Sequence, residues 1–266
     1  MTSDAHLQYI LRLADNALIL GQRNAEWTGH GPVLEEDIAL SNLSLDLIGQ
    51  ARLLYAHAGQ IEGRLTGTPR TEDDYAYWRA EPAFRNYTLL ELPHAGPLVA
   101  TSAATRDYAV TMVRHFLYAA LMVPLWEALT RSTDAELAAI AAKSVKEMRY
   151  HFAHTRDWLV RFGDGTEESH ARAQAALDWL VPYTNEYFAT DDVETAVAAS
   201  GIGVRPADLR DAWETTVRDA LDEATLRWPE SGPYVSTGKH GVHSEHMGYL
   251  LAEMQGLARQ YPGASW

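Results

Sequence analysis

Between Val145 and Leu159 the chain reads VKEMRYHFAHTRDWL, and this stretch holds the residues best spaced to do chemistry. On a helix, residues three, four and seven apart share a face. Glu147, His151 and His154 therefore fall in one stripe, beside the apolar stripe Ile140, Val145, Met148, Phe152 and Leu159. A carboxylate and imidazoles at the edge of a core-facing stripe are how a helical bundle presents metal ligands. The pattern also suits an ordinary helix whose histidines fill partly buried, hydrogen-bonded positions, and the segment alone favours that blander reading.

A second polar stripe, Asn42, Asp46 and Gln50, runs through the leucine-rich LSNLSLDLIGQ. Buried polar groups must find partners, and Glu147, His151 or His154 could supply them. The expectation is a metal-free polar network of Asn42, Asp46, Gln50, Glu147, His151 and His154. The terminal segment STGKHGVHSEHMGYL adds His240, His243 and His246, with Lys239 and Glu245. His243 and His246 share a helix face, but a third and fourth ligand are lacking nearby. Surface or interface histidines at a helix start are expected there.

Positioning these side chains requires helices, and the chain reads as helix after helix. Leu7, Ile10, Leu11, Ala14 and Leu18 repeat at helical spacing, with Gly21 as a stop. A second helix is expected from about Leu34 to Ala58, with Glu35, Glu36 and Asp37 in its first turn, where the helix dipole favours them. Leucine or isoleucine at 40, 43, 45, 47, 48, 53 and 54 covers most of its circumference, which predicts a central helix. Residues 59 to 96 break the pattern. Gly- and Pro-rich flanks surround the aromatic-rich DYAYWRAEPAFRNY, read as a long crossover with one short helix, either a functional surface or a connection packed over the bundle.

Further helices are expected at about 98–130, kinked at Pro124, at 134–162, ended by Gly163 and Gly165, and at 167–189, interrupted at Pro182. Short or late ones follow at 192–200, from Pro206 to near Trp228, and at 242–261. No alternation long enough for a sheet is present. The predicted fold is all-α: one ferritin-like domain over 1–266, with a four-helix bundle at about 5–162 and additional C-terminal helices at about 166–262.

Composition narrows the function. The 266 residues are 47% hydrophobic, and 22 basic against 36 acidic residues give a net charge of −14. That balance repels phosphate backbones and argues against a nucleic-acid partner. The absence of cysteine removes disulfides, thiolate chemistry and Cys-based metal sites. No signal peptide and no membrane span are visible, so a cytoplasmic setting is expected.

A ferritin-like di-iron site takes a carboxylate from each of two helices and Glu-x-x-His from each of the other two. None of the four long helices expected within 5–58 and 98–162 carries Glu-x-x-His, and Glu147 and His151 are spaced by four. The stretches LRLADNALILGQRNAEWTGHGPVLEEDIALSNLSLDLIGQAR, KSVKEMRYHFAHTRDWL and STGKHGVHSEHMGYLLAEMQ resemble the C-subunit family of bacterial phenylacetyl-CoA monooxygenases, the ring-1,2-epoxidases of phenylacetate degradation. The resemblance runs from about Leu11 to Trp266 and is weakest near 65–96. It implies a structural subunit, similar in fold to the catalytic subunit and paired with it, without a di-iron centre of its own. Set against the catalytic pattern, Leu18, Asp46, Gly49, Ala119, Met148 and His151 stand at the six ligand positions, and only Asp46 and His151 can coordinate. The implied cofactor is a di-iron centre in the partner and none in this chain, and the implied partners are that catalytic subunit and a small accessory subunit. Two other readings compete with it: an independent metalloprotein using Asp46, Glu147, His151 and His154, and a storage or binding bundle unrelated to oxygenation.

Overall fold

Asp134 starts the helix that carries Glu147 and the two histidines, because its carboxylate accepts from the backbone N–H groups of Glu136 (3.0 Å) and Leu137 (3.1 Å). Thr166 starts the next by a reciprocal cap. Its hydroxyl accepts from the Ser169 N–H, and the Ser169 hydroxyl accepts from the Thr166 N–H. Such local signals recur along a computed structural model that describes residues 2–95, 106–230 and 232–264, among which there is no β-strand. The helices are α1 (Thr2–Ala25), α2 (Leu34–Thr66), α3 (Glu72–Tyr77), α4 (Thr88–Glu91), α5 (Tyr108–Leu129), α6 (Ala135–Gly163), α7 (Glu167–Leu180), α8 (Asn185–Phe188), α9 (Asp192–Ala199), α10 (Arg210–Glu223) and α11 (Glu245–Gln260). The fold is all-α and ferritin-like in its parts: four long helices form two helical hairpins, α1–α2 and α5–α6, joined by a long crossover and followed by shorter helices.

The chain divides into two compact units, each assembled from separated stretches. The first comprises Met1–Leu92, Asp192–Gly203 and Thr237–Trp266. In it α1 is buried along almost its whole length, including Ile10, Ala14, Ala17 and Ile19. Gly21 does not stop this helix, which continues to Ala25. A Cβ there would lie 3.2 Å from the side chains of Leu47 and Ile48, so glycine lets α2 approach closely. α2 runs eight residues beyond the expected end at Ala58, to Thr66, and Gly67 caps it at φ 80°. Nor is α2 the central helix: Leu40, Leu43, Leu47 and Leu54 are buried, but Leu45 is 66% exposed, and Ile48 and Leu53 also face outward. The apolar positions cover the circumference without all being used for core.

The second unit comprises Pro93–Asp191 and Val204–Ser236. Its central element is α5, buried continuously from Ala109 to Met122 and helical through Pro124. The expected residues 98–105 of this helix lie outside the described residues. By length and mean hydropathy (1.3 over its most apolar window) α5 matches a membrane span, but 89% of that window is buried, as in the core helix of a globular unit. The indole N–H of Trp213 donates to the Leu117 carbonyl at 3.0 Å and fixes α10 against α5. Pro182 interrupts the next segment as expected, dividing it into α7, a 3₁₀ turn and α8. α10 stops at Glu223, short of Trp228, and α11 begins at Glu245, three residues later than the spacing suggests.

Gly163 ends α6 for a reason that the sequence does not display. A Cβ on it would overlap the carbonyl of Ala224 after α10, at a buried position. Gly163→Ala should therefore cost about 1–3 kcal/mol through forced backbone displacement. Chemical denaturation of the variant checks this, and an unchanged midpoint would refute it.

Candidate functional site

α6 presents its three polar side chains in different settings. His151 is fully buried, and its Nδ1 lies 3.1 Å from Nε2 of His115 on α5, with the rings edge to face and centroids 5.0 Å apart. Burial lowers the pKa of His115, and the neighbouring His151 and Arg114 add to the effect, so this imidazole is neutral. His154, one turn on, stacks against the exposed Tyr150 ring (6.2 Å, 24°). Glu147 accepts from Lys143 at 2.6 Å, an i,i+4 pair along the outer part of the helix. The expected stripe exists, but its members differ: a core imidazole, a half-buried imidazole and a carboxylate bonded to a lysine.

On α2, Asn42 is exposed, so the buried stripe expected there is incomplete. Asp46 is partly exposed and Gln50 is buried. Of the positions that the resemblance aligns with ligands, Leu18, Ala119 and Met148 are buried apolar side chains, and Gly49 contributes no side chain.

The histidine-rich segment before α11 departs from expectation. His240 is exposed, but the side chain of His243 is wholly buried, not a surface or interface group. Its Nδ1 lies 2.7 Å from a Glu91 carboxylate oxygen and its Nε2 lies 3.2 Å from the Phe84 carbonyl. Both partners are acceptors, so both ring nitrogens must carry hydrogen. Burial alone would depress this imidazole. The hydrogen bond to Glu91 and its charge outweigh burial and raise the pKa above the ordinary value. Lys239 is also buried and donates to Glu194 on α9 at 2.8 Å, with Arg12 3.6 Å from the same oxygen.

Sequence reasoning missed a buried, densely bonded polar cluster of the first unit. Asp15, in the middle of α1, accepts from Arg79 on both oxygens, from the Tyr55 hydroxyl (2.5 Å) and from the Arg85 backbone N–H (2.7 Å). The Arg79 guanidinium also lies 4.1 Å from the centre of the Phe84 ring. In the second unit His94 was missed as well. Its Nδ1 lies 2.9 Å from Arg114, which can only donate, so that nitrogen is an acceptor. A charged residue inside an otherwise apolar helical run, such as Asp15 in LRLADNALIL, was the available signal.

A family model described as phenylacetic acid catabolic protein matches residues 1–266. The chain belongs to this family. Among its relatives is the C-subunit of the 1,2-phenylacetyl-CoA epoxidase of Escherichia coli (strain K12), 42% identical over 258 residues, which cover 97% of this chain and 98% of that protein. Family membership thus spans both compact units and the crossover, including the aromatic loop where the sequence resemblance is weakest. In this chain the Asp15–Arg79 and Glu91–His243 clusters hold the crossover and the start of α11 in the first unit.

Proposed function

We propose that this chain is the non-catalytic structural subunit of a multicomponent phenylacetyl-CoA epoxidase, acting in the cytoplasm in aerobic phenylacetate degradation. It pairs with a catalytic di-iron subunit, and the assembly is completed by a small accessory subunit. The observation that carries this reading is the donor set. A ferritin-like di-iron centre is built from six carboxylate and imidazole ligands. At the aligned positions this chain has Leu18, Asp46, Gly49, Ala119, Met148 and His151, of which Leu18, Gly49 and Ala119 offer no donor atom and Met148 only a soft thioether unsuited to a carboxylate-bridged di-iron site. Leu18, Ala119 and Met148 fill their places with packed apolar groups, and His151 is engaged with His115. These residues do not fit a di-iron cluster, and no oxygen-activating step is assigned to them.

A subunit without a centre of its own can still raise turnover by binding its partner only in the working fold, which stabilises that fold by mass action. The similarity to an epoxidase C-subunit over nearly the whole of both chains supports this role.

The test is co-expression with the catalytic subunit, followed by metal analysis of each chain and assay of phenylacetyl-CoA turnover with a suitable reductase. Iron is expected only in the catalytic subunit. That subunit expressed alone should be at least tenfold less active or largely insoluble, and adding this chain should restore it. Turnover by this chain alone would overturn the reading, as would stoichiometric iron or manganese bound through Asp46, Glu147, His151 and His154. So would a catalytic subunit fully active by itself.

A further inference from the structure

The outer side of α2 carries large apolar side chains at Leu34, Ile38, Leu45 and Ile48, exposed between 37% and 72%. Their intervals of four, seven and three residues place them on one face, about 21 Å long at 1.5 Å per residue. Two grooves extend this face across the first unit. One, of about 290 Å³, lies between α2 and α3 and is lined by Ile48, Arg52, Asp73 and Tyr77, among others. The second, of about 440 Å³, shares Asp73 and Tyr77 and continues to Trp78, just after α3, and to Leu257 and Tyr261 on and beyond α11. Those last three residues are about half exposed. Together these side chains, about half exposed on average, present on the order of 650 Å² of surface, since a large side chain carries roughly 150–250 Å². That exceeds the few hundred Å² usual for an apolar patch on a monomer and approaches the roughly 800 Å² per partner of a standard protein interface. Both grooves open to the surface, where a ridge of another protein can enter.

The rim of this surface is acidic. Glu72 and Asp73 line the first groove, Glu35 and Asp46 flank the apolar stripe of α2, and Glu253 lies one turn before Leu257 on α11. Two cations stand beside these acids: Arg52 is tied to Glu72 at 3.0 Å, and Arg259 donates to the Tyr77 and Arg79 carbonyls. Two copies of a chain with net charge −14 meeting through this face would set like charges together. We propose that the α2–α3–α11 face is the docking surface for a different polypeptide, one that presents an apolar helical ridge flanked by lysine and arginine. The inference rests on the proposed function, under which that polypeptide is the catalytic subunit.

The experiment uses the full-length chain and the purified catalytic subunit, with affinity measured at low and moderate salt. Leu45→Arg removes an exposed apolar contact and adds a cation facing the basic ridge. It should weaken binding at least tenfold with an unchanged melting temperature. Asp73→Lys should lower the association rate several-fold and flatten its salt dependence. Tyr150→Asp, exposed on α6 of the other unit, serves as the control and should bind as the unaltered chain does. If Leu45→Arg and Asp73→Lys both bind like the unaltered chain, the surface assignment fails while the proposed function stands. If the unaltered chain forms no complex, both fail. If the unaltered chain is instead a homodimer that Leu45→Arg turns into a monomer without loss of binding to the catalytic partner, a second copy covers this face and the inference is overturned.

Discussion

Asp15→Ala should lower the melting temperature by about 6–20 °C or leave the chain insoluble. The Asp15 carboxylate is completely buried, and so is most of the Arg79 guanidinium that it binds through both oxygens. Burial alone would make Arg79 less basic, but Asp15 beside it holds the cation charged and above its ordinary range. Removing the carboxylate leaves that cation uncompensated in the interior, at a cost of about 3–5 kcal/mol. It also strips an acceptor from the Tyr55 hydroxyl and from the Arg85 N–H. For a chain of this size each kcal/mol moves the midpoint by roughly 2–4 °C. Because Asp15 is on α1, Tyr55 on α2 and Arg79 just beyond α3, the loss falls on the anchoring of the crossover to the first hairpin. Replacing both charged partners by apolar residues, Asp15→Leu with Arg79→Met, should recover part of the loss, since well-packed apolar groups can substitute for a buried ion pair. A midpoint shift below about 2 °C in Asp15→Ala would contradict this account.

That cluster also shows where sequence reading reaches its limit. Local chemistry was legible: Pro182 divides the segment after α7, and the acidic first turn opens α2, both signals carried within a few residues. The all-α class follows from periodicity alone. Long-range pairing does not, because nothing local links Asp15 to Arg79, 64 positions away, or Glu91 to His243, 152 positions away. DYAYWRAEPAFRNY therefore left two readings open, a functional loop or a packed crossover. The structure supports the packed crossover for its inner side, where Tyr75, Arg79 and Phe84 are buried, while Trp78 faces outward at the proposed docking surface. The α2 pattern misled for a related reason. Leucine at a helical position marks apolar surface to be covered, but the covering group can be a partner chain as well as the chain's own core. The candidate site on α6 was found as a stripe, and its chemistry could not be read from spacing. Whether an imidazole is a ligand or a core residue depends on its neighbours in space, such as His115 on α5.

The same dependence on distant neighbours gives the first unit a pH response that is opposite to ordinary acid denaturation. His243 bridges two acceptors and its pKa is raised above the usual 6.5, chiefly because Glu91 overcomes the effect of burial, with Glu81 adding its charge. A base whose pKa is higher in the folded state stabilises the fold fully below its unfolded value and loses that contribution as pH rises through the folded value. The unaltered chain should therefore exceed His243→Gln in stability by about 3 kcal/mol near pH 6, the scale of a broken buried charge pair. The margin should shrink steadily once the pH passes about 6.5 and climbs through the raised pKa of this imidazole. Thermal melts of both chains from pH 6 to 9 measure it, and a margin that is constant or grows with pH would sink the assignment. Glu91 also accepts from the Ser244 backbone N–H at 2.5 Å and from Asn86 at 2.9 Å, so the carboxylate that charges His243 is the one that holds the start of α11. Deprotonating His243 removes one of the bonds that fix α11, the helix that carries Leu257 and leads to Tyr261. If those residues dock the partner, affinity for the catalytic subunit should fall over the same pH range in which the stability margin closes, and His243→Gln should abolish that parallel.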